Sequence, residues 1–169
     1  MIVRLIPIFL VAWCAAICGA QNASGAREQV VYRNADYDFC FTLPAGWTGY
    51  AIVAEQWKGE WIGDAPRPDS AKDLEGPKLL IRHPKWTSSE PREDIPIMVF
   101  SVAQWEWIAA EKVSVSAAPI GPTELGLNAK YVFALPARYE FDEKEGVDEV
   151  VELMNHHPLR APCPATESN

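Results

Sequence analysis

The chain has 169 residues with 23 acidic and 15 basic side chains, a formal net charge of −8. A surface this acidic repels phosphate backbones and anionic headgroups, which excludes nucleic acid and peripheral membrane as expected partners. The length is that of one domain with a single core, able to bury about two thirds of the surface its unfolded chain exposes.

Residues 1 to 20 carry Arg4 as their only charge, an apolar run from Leu5 to Ile17 and a small-residue exit at Cys18-Gly19-Ala20. That is the pattern of a secretory signal peptide cleaved after Ala20. The run is shorter than the roughly 18 residues a spanning helix needs, and no later stretch is longer, so no transmembrane segment is expected after cleavage. The destination is the periplasm or the exterior. Cys14 and Cys18 leave with the signal, and Cys40 and Cys163 remain. An even number of cysteines in an exported chain reads as a disulfide, whose closed loop of about 120 residues would contribute on the order of 4 to 5 kcal/mol. The alternative is two unpaired thiols.

Residues 21 to 29 form a small, polar tether in which Asn22-Ala23-Ser24 matches a glycosylation sequon. A strand over Val30 to Arg33, a turn at Asn34-Ala35-Asp36 and a second strand predict an opening hairpin. The second strand organises the chain. Tyr37, Phe39, Phe41 and Leu43 fall on one face and Asp38, Cys40 and Thr42 on the other, and Pro44 and Gly46 stop it. A third strand follows over Tyr50 to Gln56. From Lys58 to Gly76 no period holds, and the spacing predicts a long loop.

Lys78 to Arg82 resumes as a strand ended by His83-Pro84, and a second irregular stretch runs from Lys85 to Asp94. Ile97 to Val102 is apolar on both faces, the mark of a strand covered on both sides. Gln104 to Lys112 reads as a helix with Trp105 and Ile108 on one face and Trp107 on another. After the turn cluster at Pro119 to Pro122 come a short strand at Glu124 to Leu127 and a clear one at Lys130 to Leu135. A final helix spans about Val147 to His156, with Val147, Val150, Val151 and Met154 at helical spacing, and residues 159 to 169 are a Pro-rich tail. The fold class is therefore α+β: a domain over residues 30 to 158 in which an antiparallel sheet carries a mid-chain helix and a C-terminal helix.

Chemistry-bearing motifs are sparse. His83, His156 and His157 lack the spacing of a zinc site, and adjacent residues on a helix lie about 100 degrees apart, so His156 and His157 do not face one ion. No nucleophile elbow, zinc-protease helix or phosphate-cradling glycine loop occurs, and no catalytic residue, metal or cofactor is expected. Acid pairs such as Glu93 with Asp94 have the composition of a glycosidase site and, equally, of a solvated loop. Tryptophan is the richer signal. Trp47 and Trp105 read as core, whereas Trp57, Trp61 and Trp86 stand in or beside the irregular segments. Indoles there either stack on a sugar or anchor a protein contact, or fold down to seal a satellite core. The candidate binding surface is Trp57, Trp61, His83, Lys85 and Trp86. It belongs to a non-enzymatic module that contacts an envelope protein or complex; the other reading is a small hydrolase or a polysaccharide-binding protein.

The aromatic alternation ending in Leu43-Pro44-Ala45-Gly46-Trp47, together with an amphipathic final helix after the last strand, resembles the PsbP-like superfamily. The segments His83 to Trp86, Ile95 to Phe100 and Ala134 to Tyr139 are similar to stretches of its exported bacterial members. The resemblance implies an antiparallel sheet flanked by helices and an accessory or binding role. Asp38 stands where the motif has glycine, and the insert from Lys58 to Gly76 is additional to the general pattern.

Overall fold

The computed structural model describes residues 29–62, 64, 66–72, 74–117, 120–137 and 144–165. The expected export signal and nearly all of the tether lie outside these residues. The chain runs β1 (Gln29–Asn34), β2 (Phe39–Pro44), β3 (Ala51–Lys58), β4 (Glu60–Trp61), β5 (Glu75–Arg82), β6 (Ile95–Ser101), α1 (Val102–Ala109), β7 (Val113–Ser114), β8 (Thr123–Leu127), β9 (Tyr131–Leu135), α2 (Val147–Asn155) and β10 (Leu159–Arg160). All strand pairings within the sheets are antiparallel, and the architecture is α+β with the two expected helices. Among the described residues no helix is long and apolar enough to cross a membrane.

The single expected sheet is instead three: β1-β2-β10, β3-β5-β6-β9-β8 and the small pair β4-β7. The hairpin forms its own sheet, to which the tail adds a third strand. Leu159 lies opposite Phe41 and Arg160 opposite Cys40, so part of the tail is strand. Tyr37 and Asp38 belong to the turn rather than to β2. The Tyr37 N–H donates to Asn34 Oδ1 at 3.0 Å, and Asp38 has φ of 52°, a conformation that glycine enters freely and aspartate tolerates.

Alternation in β2 directs Phe39, Phe41 and Leu43 into the main core, where Phe39 meets Phe133 of β9 at 4.8 Å between ring centroids. The core lies between the two larger sheets and takes Val150, Leu153 and Met154 from α2. β6 is covered on both faces, as its composition predicts. Ile95, Ile97 and Val99 enter the main core, while Met98 and Phe100 face the other way, against Trp57 and the side of α1 bearing Trp105 and Ile108.

α1 starts where Ser101 caps it: Ser101 Oγ accepts from the Gln104 N–H at 3.2 Å and Gln104 Oε1 accepts from the Ser101 N–H at 2.8 Å. This reciprocal pair satisfies two otherwise orphaned donors. The helix is only eight residues long and none of them is fully buried. It therefore covers one end of the outer face of the five-stranded sheet and leaves the other end to a loop. The insert between β3 and β5 packs beside α1, with Ala71, Leu74 and Val113 in a small core of their own.

Candidate functional site

The end of the outer sheet face that α1 leaves uncovered is built by alternation in β5. Leu79 and Ile81 enter the main core, which turns Lys78, Leu80 and Arg82 outward. Lys78 stands opposite Glu55 of β3 and pairs with it at 2.9 Å. The segment 85–94 folds over these residues and encloses a groove of about 440 Å³, lined also by Trp86, Glu93, Asp94 and Pro96. The loop is tied down at both ends. The Trp86 N–H donates to the His83 carbonyl at 3.0 Å and the Glu93 N–H to the Glu145 carbonyl at 2.8 Å.

In the groove the Arg82 guanidinium lies over the Trp86 ring, 4.0 Å from its centroid. Its orientation comes from Asp94: Arg82 Nε donates to Oδ1 at 3.1 Å and Nη2 to Oδ2 at 2.7 Å. A planar cation fixed by a two-point carboxylate and stacked on an indole is a rigid unit that gives up little rotamer freedom when something docks on it. Asp94 is expected from the sequence only as one of an acid pair with Glu93, and Arg82 not at all, although the alternation Lys78, Leu80, Arg82 within a predicted strand is the signal that places Arg82 outward.

The five tryptophan-loop candidates do not share one surface. Trp57 is a core residue: β3 continues two residues beyond the expected end, and the indole packs on Phe100 at 4.6 Å and donates to the Val99 carbonyl at 2.8 Å. Gly76 lies directly opposite in β5 and leaves the space for it. Trp61 is half-buried and edge-on to Trp107 at 6.0 Å, closing the small core beside α1. His83 points to the main core, buried against Trp47 at 4.8 Å. Lys85 is exposed on the loop, and Trp86 alone of the five lines the groove.

His83 holds the loop's entry. Its Nδ1 accepts from the Lys85 N–H at 3.1 Å, so the neutral ring carries its proton on Nε2. Burial, and then the Arg92 guanidinium, hold its pKa below the ordinary imidazole value, with Glu149 opposing. A group depressed in this way binds a proton more readily when unfolded, so its share of stability is present above about pH 6.5 and is lost as pH falls from there toward its folded value. Between pH 6.5 and 5 the melting temperature of the wild type is expected to fall more steeply than that of His83→Gln, whose amide oxygen can accept the same N–H. Equal slopes for the two proteins would remove His83 from the account.

A larger cavity, about 700 Å³, lies at the far end of the main core between β2 and the end of α2, with Pro44, Leu153, His157 and Arg160 on its walls. His156 faces Glu152 one turn back at 3.3 Å. Neither this cavity nor the groove gathers a metal-binding set: among the described residues no three His, Cys, Asp or Glu side chains converge on one point.

Cys40 and Cys163 are free thiols in this structure, and Arg33, which stands opposite Cys40 in β1, donates to the Cys163 Sγ at 2.8 Å. No family model, curated protein or solved structure matches the chain.

Proposed function

We propose that this chain is an exported, PsbP-like binding or accessory module that contacts an envelope protein through the groove at Trp86. The observation that carries the reading is the Arg82–Trp86 stack locked by Asp94. Arginine and tryptophan are the residue types that dominate protein interfaces, and these two are already ordered before anything binds. The order of strands and helices and the positive φ at Asp38, where the resembled motif has glycine, support the family reading. The apolar run and small-residue exit of residues 1 to 20 support export.

The test is co-purification from the native envelope with crosslinking, comparing wild type, Trp86→Ala and Arg82→Gln. Each substitution is expected to weaken capture of the same partner by about thirtyfold or more, the effect of removing a hot-spot side chain. For Trp86→Ala stability should change by only about 1 kcal/mol, because the indole is partly exposed and lies on the surface of the sheet, whereas Arg82→Gln leaves Asp94 without its cation and costs more. Undiminished capture with either variant, or a stability loss of several kcal/mol for Trp86→Ala, would overturn the reading.

A second reading, a polysaccharide-binding protein or small hydrolase, is favoured by one observation: Glu93 and Asp94 line the same groove as Trp86. Cell-wall oligosaccharide that binds or is cleaved by the purified chain, and does neither with Trp86→Ala, would establish that reading instead.

A further inference from the structure

The fold brings together two thiols from opposite ends of the described chain. β10 seats the tail on β2, with Arg160 opposite Cys40, and the Thr42 N–H donates to the Pro158 carbonyl at 3.0 Å. Past β10 the tail stays attached. The Cys163 N–H donates to Asp38 Oδ1 at 3.3 Å, and Arg33 Nη1, from the strand on the other side of β2, donates to the Cys163 Sγ at 2.8 Å and to the Pro164 carbonyl at 2.7 Å. Arg33 itself stands opposite Cys40 in the β1–β2 ladder, so these contacts bring Cys163 beside Cys40.

We infer that Cys40 and Cys163 form a covalent cross-linking site: a disulfide-bearing oxidant converts them to a bond that pins the tail across β2, Cys163 entering the reaction and Cys40 completing it. This inference stands apart from the groove and its partner.

The two sulfurs are not equivalent. Cys163 is partly open to solvent and has a guanidinium on its sulfur, so a negative charge developing there has a cation beside it. Cys40 is 5 % exposed, and burial, with the hydrogen bond to Cys163 second, pushes its thiol up to about 11. An incoming disulfide therefore meets Cys163. Cys163 thiolate attacks one sulfur of the oxidant RSSR, forming Cys163–S–S–R and releasing RS⁻, which takes up the proton Cys163 lost. Cys40 then attacks the Cys163 sulfur and expels the second RS⁻, which takes the Cys40 proton. The protein loses two electrons and two protons, and RSSR becomes two RSH. Pro158 and Arg160 line the 700 Å³ cavity, so the bond would also fix that cavity's wall.

The experiment treats the reduced full chain with glutathione disulfide and follows the Cys40 and Cys163 thiols, apart from Cys14 and Cys18 of residues 1 to 20, by quenching with an alkylating agent and peptide mass spectrometry. Wild type is expected to lose both alkylatable thiols and to yield a Cys40–Cys163 peptide pair. Cys40→Ser should accumulate glutathione on Cys163, and Cys163→Ser should capture it on Cys40 at least about tenfold more slowly. Pulse alkylation of the folded wild type tests the same order without any substitution, with Cys163 modified first. Two thiols persisting in the wild type, or Cys40 reacting as fast as Cys163, would overturn the inference.

Discussion

Trp57→Ala is expected to destabilise the protein by about 3–5 kcal/mol, the range for removing a large aromatic from a packed interior. The indole is 3 % exposed, packs on Phe100, and donates its N–H to the Val99 carbonyl inside the ladder region of β6. Truncation leaves a cavity and an unpaired carbonyl together. It also removes part of the floor on which α1 rests, since Phe100 in turn meets Trp105 at 5.6 Å. The opposite position makes the test specific. A Cβ on Gly76 would sit 2.7 Å from the Trp57 ring, so Gly76→Ala should cost about 1–3 kcal/mol in the wild type and much less in the Trp57→Ala background. Urea unfolding of the two single mutants and the double mutant measures this. A loss below 1 kcal/mol for Trp57→Ala would return Trp57 to the surface.

Arg92→Ala is expected to cost about 2 kcal/mol, below the range for breaking a buried ion pair, because the carboxylates it leaves behind, Glu145 and Glu149, are open to water while its own stem is packed. The Arg92 side chain is 14 % exposed; Nη1 donates to Glu145 and Nη2 to Glu149 at 3.2 Å. Glu149 also accepts from Trp47 Nε1 at 2.9 Å, so one guanidinium joins the groove loop, the entry to α2 and the main core. Among the described residues its Nε is buried without a hydrogen-bond partner, a standing cost of the arrangement. Arg92→Met keeps the apolar stem and sheds that cost, and is expected to lose about half as much as alanine. Gly146 is fitted to the same contact. Its φ is +88° and a Cβ there would meet Arg92 Nη2 at 3.1 Å, so Gly146→Ala strains the backbone and displaces the guanidinium together. Equal unfolding midpoints for wild type and Arg92→Ala would show that α2 docks without this network.

Trp86 and Arg82 show how far a candidate surface can be read in advance. Trp86 was legible because an indole in a stretch without period has no strand or helix to bury it. The pairing of Arg82 with Asp94 beneath it was not, because Asp94 comes from the far end of the loop and becomes a neighbour only when residues 85–94 close over the sheet. His83 and Trp57 mislead for the same reason in reverse. They border irregular segments in the chain, yet one points to Trp47 and the other lies over Gly76.

Local period alone determined the longer strands, both helices, the hairpin and the two-sided burial of β6, since each depends on residues two to four positions apart. Two-residue strands carry no period, so β4, β7 and β10 came only from the pairing of distant segments. The split of the sheet, the meeting of Cys40 with Cys163 and the choice of which indoles meet water were likewise decided by the tertiary structure. Accessibility is set by whatever lies on top of a side chain, and in this protein the covering residues are remote in sequence: β10 for Cys40, Gly76 and Val99 for Trp57, and Trp107 for Trp61.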